Sequence, residues 1–135
     1  MKITIQATIS ADKKKVWDYY TDPKHIINWN FASDDWCCPN AENDLQVGGK
    51  YKARMEAKDG SFGFDFEGIY SKIDIGESFT FIMEDGRSVN IFIEKIGDTC
   101  KMIVTFDAEE ENSEEIQRNG WQSILNNFKN YVENN

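Results

Sequence analysis

Residues 112–133 read NSEEIQRNGWQSILNNFKNYVE, and their periodicity decides the fold. At about 100° per residue, Ile116, Gly120, Tyr131, Ile124, Phe128, Trp121, Val132 and Leu125 fall across one half of a helix. Arg118, Asn119, Gln122, Ser123, Asn126, Lys129 and Asn130 occupy the other half. Asn112, followed three residues later by Glu115, predicts the helix start, because their side chains can satisfy the first free backbone N–H groups. Such a helix spans roughly 31 Å, and burying its large side chains is worth on the order of 10–20 kcal/mol gross. The rest of the chain must therefore supply a long apolar surface to receive it. Gly120 costs about 1 kcal/mol in a helix interior, which predicts a close approach of the helix backbone to that surface.

The receiving surface is legible in residues 49–109. Asp59-Gly60, Gly76-Glu77, Asp85-Gly86 and Gly97-Asp98 are tight-turn signals at regular spacing, and Asp-Gly predicts type I′ hairpins with positive φ at both central residues. Between them alternate Tyr51, Ala53, Met55; Phe62, Phe64, Phe66; Phe79, Phe81, Met83; Val89, Ile91, Ile93; and Met102, Val104, Phe106. Period-two alternation puts each set on one side of its strand, so the segment reads as five antiparallel strands with one wet and one buried face. Gly68, inside the second strand, predicts a bulge that bends the sheet. Asp65 and Glu67 alternate outward, and such a bulge is the one device that would turn either of them in, where burial would raise its pKa.

Residues 2–9 predict a further strand through Ile3, Ile5, Ala7 and Ile9. That strand is available to pair between subunits. Ser10 or Asp12 can cap a short helix reaching Tyr20, and Asp22-Pro23 starts a shorter one through Ile26, Ile27 and Trp29. Residues 30–48 read as a polar, acidic stretch carrying Phe31 and Trp36. A strand, two short helices, a long meander and a long C-terminal helix define an α+β chain. Its curved antiparallel sheet of about six or seven strands wraps the last helix.

Composition bounds the partners. The 135 residues suit one domain, 1–135, and the 40% hydrophobic content supplies its core. A formal net charge of −9 repels phosphate backbones, which argues against nucleic acid, and no apolar run approaches the ~20 residues needed to cross a bilayer. Three cysteines, Cys37, Cys38 and Cys100, without an apolar leader stretch, predict reduced thiols and a cytoplasmic location. The adjacent Cys37-Cys38 pair does not give zinc a tetrahedral spread, so no metal site and no cofactor are expected. Ordinary buried or partly buried thiols are the simplest account of the pair.

Val16-Trp17, Thr21-Asp22-Pro23, Trp29, Val47-Gly48-Gly49-Lys50-Tyr51, Gly68, Asp85-Gly86-Arg87 and Gly120-Trp121 with Ile124-Leu125 recur in a known order. In these the chain resembles, over essentially its whole length, small bacterial proteins similar to the activator of heat shock protein 90 ATPase. That family lies within the START and birch-pollen-allergen-like (SRPBCC) superfamily. The resemblance implies a helix-grip fold with a cavity between sheet and helix, which in the superfamily often takes an apolar ligand.

Such a cavity is expected to be lined by Trp29, Phe31, Trp36, Tyr51, Phe64, Phe66, Phe81, Trp121 and Leu125, since small-molecule pockets are mostly apolar. The competing account is that these aromatics are plain core, which buried rings more often are. The leading function is binding of a small hydrophobic or amphipathic ligand without turnover, by a monomer or homodimer. The family name suggests a co-chaperone or other protein-interaction role as the alternative. A third reading, a cyclase or hydrolase, needs inward-facing titratable groups, and catalytic signals are poor. His25 is the single histidine and reads as a solvated or capping residue. Gly48-Gly49-Lys50 lacks the rest of a phosphate loop, and no nucleophile elbow or metalloprotease motif occurs.

Overall fold

Local chemistry starts each helix where polar side chains can take the free N–H groups. In the computed structural model, which describes residues 1–135, Asp12 accepts from Lys15 N to open α1 (Lys13–Thr21). Asp22 then accepts from Lys24 N to open α2 (Pro23–Ile26), with Pro23 in its first turn. The last helix, α3 (Glu114–Glu133), is capped by Ser113, whose hydroxyl accepts from Ile116 N, and not by the expected Asn112. The two glutamates of its first turn still complement the helix dipole.

The predicted strands are β1 (Lys2–Ile9), β4 (Lys50–Ala57), β5 (Gly63–Asp74), β6 (Ser78–Met83), β7 (Ser88–Ile96) and β8 (Thr99–Asp107). Two short strands, β2 (Trp36–Cys37) and β3 (Ala41–Asn43), join them from the stretch read as a polar segment, and both pair with β4. Every pairing is antiparallel, and the sheet runs β1-β8-β7-β6-β5-β4-β2. The first strand thus closes against the last, with Ile3 opposite Phe106 and Ile5 opposite Val104. The curled sheet and α3 make the helix-grip fold expected from the sequence.

Three backbone details differ from the sequence reading. No non-glycine residue has positive φ, so the Asp-Gly hairpins are not type I′ turns. Instead Gly60 N donates to Ala57 O and Gly86 N to Met83 O, and each preceding aspartate accepts from the N–H two residues on. This is the wider loop in which only the glycine adopts positive φ. Second, the register runs unbroken through Gly68, and the β5 irregularity falls between Tyr70 and Lys72. Gly68 serves close packing: a Cβ there would lie 2.2 Å from Cδ2 of Phe81. Third, a Cβ on Gly120 would meet nothing within 4 Å, so Gly120 does not bring the helix against the sheet.

Twenty-five buried residues form one apolar cluster under α3, in which Trp29, Phe106 and Phe128 are almost wholly enclosed. Leu125, Phe128 and Val132 are the helix's buried apolar residues, while Ile116, in the first turn, is exposed. Gln117 is buried instead, taking Glu109 N at its Oε1 and donating to Asn112 O, which ties the β8–α3 loop to the helix. The polar side of α3 is also engaged. Arg118, Gln122 and Lys129 donate to the carbonyls of Thr4, Gln6 and Thr8, at 2.8, 3.1 and 2.7 Å. Those carbonyls lie along the outer edge of β1, so the strand expected to be free for pairing between subunits is covered within its own chain.

Candidate functional site: an apolar cavity under the C-terminal helix

Alternation along the strands sends one side chain in two toward α3, and these side chains do not fill the space beneath it. A cavity of about 170 Å³ remains, lined by 15 residues of which 14 are hydrophobic. Ile5, Met55, Val89 and Val104 contribute from the sheet, and Trp121, Ile124 and Leu125 from α3. Tyr20 from α1 and Trp29-Asn30, beyond α2, line it as well.

Aromatic packing holds the walls. Trp121 stacks on Phe106 and meets the Phe66 ring edge-on at 5.9 Å. Tyr51 stacks on Phe81 at 5.6 Å, and Tyr20 on Trp29 at 4.7 Å. The Trp29 indole N–H donates to Tyr19 O at 3.0 Å, fixing that ring's orientation. The absent side chain at Gly68 leaves Phe81 room to lie against β5 rather than across the open space.

Of the nine residues expected to line such a space, seven do so: Trp29, Tyr51, Phe64, Phe66, Phe81, Trp121 and Leu125. Phe31 and Trp36 do not. Phe31 faces a separate polar cleft beside Asn127, and Trp36 packs with Phe62 and Phe64 at ring distances of 5.9 and 6.2 Å. Phe62 is 60% exposed because the β4–β5 ladder ends at Glu56–Gly63, just before it. Phe64 is 42% exposed and also lines the cavity, so the exposed ring cluster and the cavity meet at this residue.

Sequence reasoning did not single out Ile5, Tyr20, Asn30, Met55, Phe79, Val89, Val104 or Ile124 as lining. For the strand residues the signal was present, because their alternation placed them on the buried face. Asn30 offered none, since a polar residue after a helix end reads as loop.

The polar groups at the cavity are few. Asn30 Nδ2 donates to the Tyr51 hydroxyl at 3.4 Å. Burial pushes the Tyr20 phenol far up, with a smaller contribution from Tyr70, and it pushes Tyr51 up as well. No histidine, carboxylate, lysine or arginine lines the space. Asp65 and Glu67 stay on the outer face beside Lys52, at 3.9 and 3.8 Å, so neither turns inward. His25 is neither a cap nor fully solvated. Its ring stacks on Tyr19 at 3.8 Å and its Nδ1 pairs with the Tyr131 hydroxyl at 2.8 Å. Cys38 and Cys100 are buried and Cys37 half-buried, all unpaired, and burial followed by the neighbouring Cys37 pushes the Cys38 thiol up to about 11.

Comparison with known proteins adds a family. Over 99% of its length the chain superposes on the solution structure of an AHSA1-like protein from Aeromonas hydrophila, covering 93% of that chain, with a TM-score of 0.93 and 42% identity. A protein from Cytophaga hutchinsonii gives a TM-score of 0.85 at 45% identity, with 98% of this chain and 92% of that one covered. A dimer from Colwellia psychrerythraea shares the fold at a TM-score of 0.75 and 14% identity, over 98% of this chain and 96% of that one. No curated protein matches the chain. The family described as Activator of Hsp90 ATPase homolog 1-like protein matches residues 10–133, and the chain belongs to it.

Proposed function

We propose that the chain binds a small, largely apolar molecule in the space between the sheet and α3, without chemical turnover, and that residues 1–135 act as one binding unit. The observation that carries this reading is the cavity itself, about 170 Å³ with 14 hydrophobic residues among 15. A void of roughly 150 Å³ lined by apolar side chains is large enough to admit benzene and stays dry when empty. Close packing ordinarily removes such voids, because each costs stability. Three unpaired thiols support placing the protein in a reducing cytoplasm. Thermal-shift measurement against a library of neutral aromatic and aliphatic compounds, with native mass spectrometry for stoichiometry, tests the reading. One-to-one adducts with raised Tm are expected, and a library without a single stabilising compound removes it.

A second reading, docking to a chaperone, is favoured by the exposed cluster of Phe62 and Phe64 against Trp36 and by the family's description. Affinity capture on purified heat shock protein 90 tests it directly. Loss of capture in Phe62→Ser is expected, and no capture by the unmodified chain ends this reading. With the outer edge of β1 occupied by α3, a homodimer would have to form at other surfaces.

A further inference from the structure

Alternation sends every second residue of β1 and of β4 to β8 away from α3, and the outer face they build carries none of the chain's net charge. Its cations are Lys2, Lys50, Lys52, Arg54, Lys72 and Lys101. Its carboxylates are Glu56, Asp65, Glu67, Asp74, Glu94 and Asp107. These cancel, so the whole formal charge of −9 lies on other surfaces. Glu109, Glu110, Glu111, Glu114 and Glu115, for example, crowd the start of α3. The charges of the face also keep to its margins. Strand β6 has none, and the cross-strand pairs Ile69–Ile82 and Phe92–Ile103 stand at the centre. Ile69, Ile82 and Phe92 are 43, 36 and 40% exposed.

Between the two apolar pairs runs a row of small polar side chains that satisfy one another. Thr80 Oγ1 donates to Asn90 Oδ1 at 2.7 Å, and the hydroxyls of Thr4 and Thr105, next along the register, lie 3.2 Å apart. Covering such groups costs little, because their hydrogen bonds already run sideways along the sheet. An uncharged centre inside a charged frame is the anatomy of a protein interface. A two-fold contact sets a patch against itself, so a patch of one sign repels its own copy and a balanced one does not. For a chain of net charge −9, this face is where a second copy can approach without acid meeting acid. At ~4.8 Å between strands and ~6.8 Å between outward residues, about four strands by three rows cover roughly 400 Å². That is about half of the ~800 Å² per partner of a standard interface, which fits a weak, reversible pair.

We propose that two copies of the chain associate back to back through the outer face of β5 to β8, with Ile69, Ile82, Phe92 and Ile103 at the centre of contact. The pair buries these side chains and holds both α3 helices, with their acidic first turns, on its outside. It is independent of the apolar-ligand reading, since the sheet stands between this face and the cavity.

Sedimentation equilibrium of the full chain at neutral pH, from about 10 μM to about 1 mM, tests it. The average mass is expected to rise from that of one chain toward that of two, with a Kd on the order of 100 μM for so small a contact. Over the upper part of that range, backbone amide shifts should move at Thr80, Asn90, Phe92 and Ile103 and stay fixed at Phe62. The double variant Ile82→Glu, Phe92→Glu sets like charges against each other and should weaken association at least about a hundredfold. Asn90→Lys, a single charge in the polar row, should weaken it about tenfold and serves alone if the double variant does not fold. Phe62→Ser, at the other exposed apolar cluster, should associate as the unmodified chain does. A single-chain mass up to about 1 mM overturns the proposal. So does undiminished association in a folded outer-face variant. Loss of association in Phe62→Ser, with amide shifts at the β4–β5 turn, moves the contact to the aromatic cluster and overturns it as well.

Discussion

The indole of Trp121 lies flat on the ring of Phe106, centroids 4.1 Å apart and planes within 11°. One partner belongs to α3 and the other to β8, so this stack fixes the helix over the sheet beside the cavity. Phe106 is fully buried, whereas Trp121 is half-buried and lends its other contacts to the cavity wall. The stack therefore serves stability on one side and cavity shape on the other.

Phe106→Ala should be among the most damaging single changes, with a loss of about 3–5 kcal/mol for a buried ring whose site cannot collapse. Trp121→Ala should cost less, roughly 2–3 kcal/mol, because part of the indole is already exposed. Urea denaturation followed by far-ultraviolet circular dichroism measures both. Equal losses would show that the two rings are not divided between core and cavity.

Gly68→Ala should close the cavity as well as strain the sheet. The new methyl would stand 2.2 Å from Phe81, a ring held between Tyr51 and Phe79 at 5.6 and 6.1 Å. The open space that Phe81 lines is the one place without a ring neighbour, so the ring is expected to yield toward it. We expect a stability loss of about 1–3 kcal/mol, as for overpacked cores, together with loss of binding for any neutral aromatic probe. A variant that binds such probes normally would show that Phe81 moves elsewhere.

Asp107 links the end of β8 to the start of β1 electrostatically. Its carboxylate accepts from Lys2 Nζ at 2.6 Å and from the Ser88 backbone N–H at 2.9 Å, and these hold its pKa at about 2 against an ordinary 3.8. Because the folded value lies below the unfolded one, the stabilisation is complete above about pH 4 and fades as acid protonates the folded carboxyl near pH 2. In Asp107→Asn this contribution is absent throughout. The urea midpoint of the variant should therefore lie below that of the unmodified chain at pH 7, and the gap should shrink between pH 4 and 2. A gap independent of pH would place the effect in packing instead.

The thiols should react unequally with their accessibility and charge state. With burial holding Cys38 near 11, only about 0.1% of it is thiolate at pH 8, and Cys100 is raised as well. Iodoacetamide under native conditions should leave both largely unmodified over a time that fully alkylates them in urea, as read by intact-mass spectrometry. Rapid native alkylation of Cys38 would mean that the β2–β4 edge opens readily.

The helix face and the hairpin spacing were legible because burial alone sets them. Leu125, Phe128 and Val132 are where the 3.6-residue period puts them, and Val89, Ile91 and Ile93 follow the two-residue one. What the sequence hid was local detail with several chemically equal solutions. Ser113 and Asn112 are both good caps, and only chain geometry chooses between them. Asp-Gly serves a two-residue turn and a wider loop alike, and the strand ends decide which. Phe31 and Trp36 look like cavity residues because they are large and apolar in a polar stretch, yet nothing local says which way the loop turns Phe31 or which side of β2 Trp36 occupies. Gly68 and Gly120 were read by their cost to regular structure, and the packing partner gives the reason for the first only. Tyr20 and Asn30 belong to the cavity through tertiary placement, which no periodicity encodes.

The covering of β1 by Arg118, Gln122 and Lys129 also bears on how the chain is made. These contacts span 114 to 121 residues of sequence, and the Lys2–Asp107 pair spans 105. Strand β1 is translated well before its sheet neighbour β8 and the helix that covers its other edge. Until then Ile3, Ile5 and Ile9 have neither a ladder nor a core to enter. Such long-range closure slows folding and leaves an apolar strand open in the interval. The native state should thus appear only after α3 has emerged, with nascent β1 the segment that most needs protection while it waits.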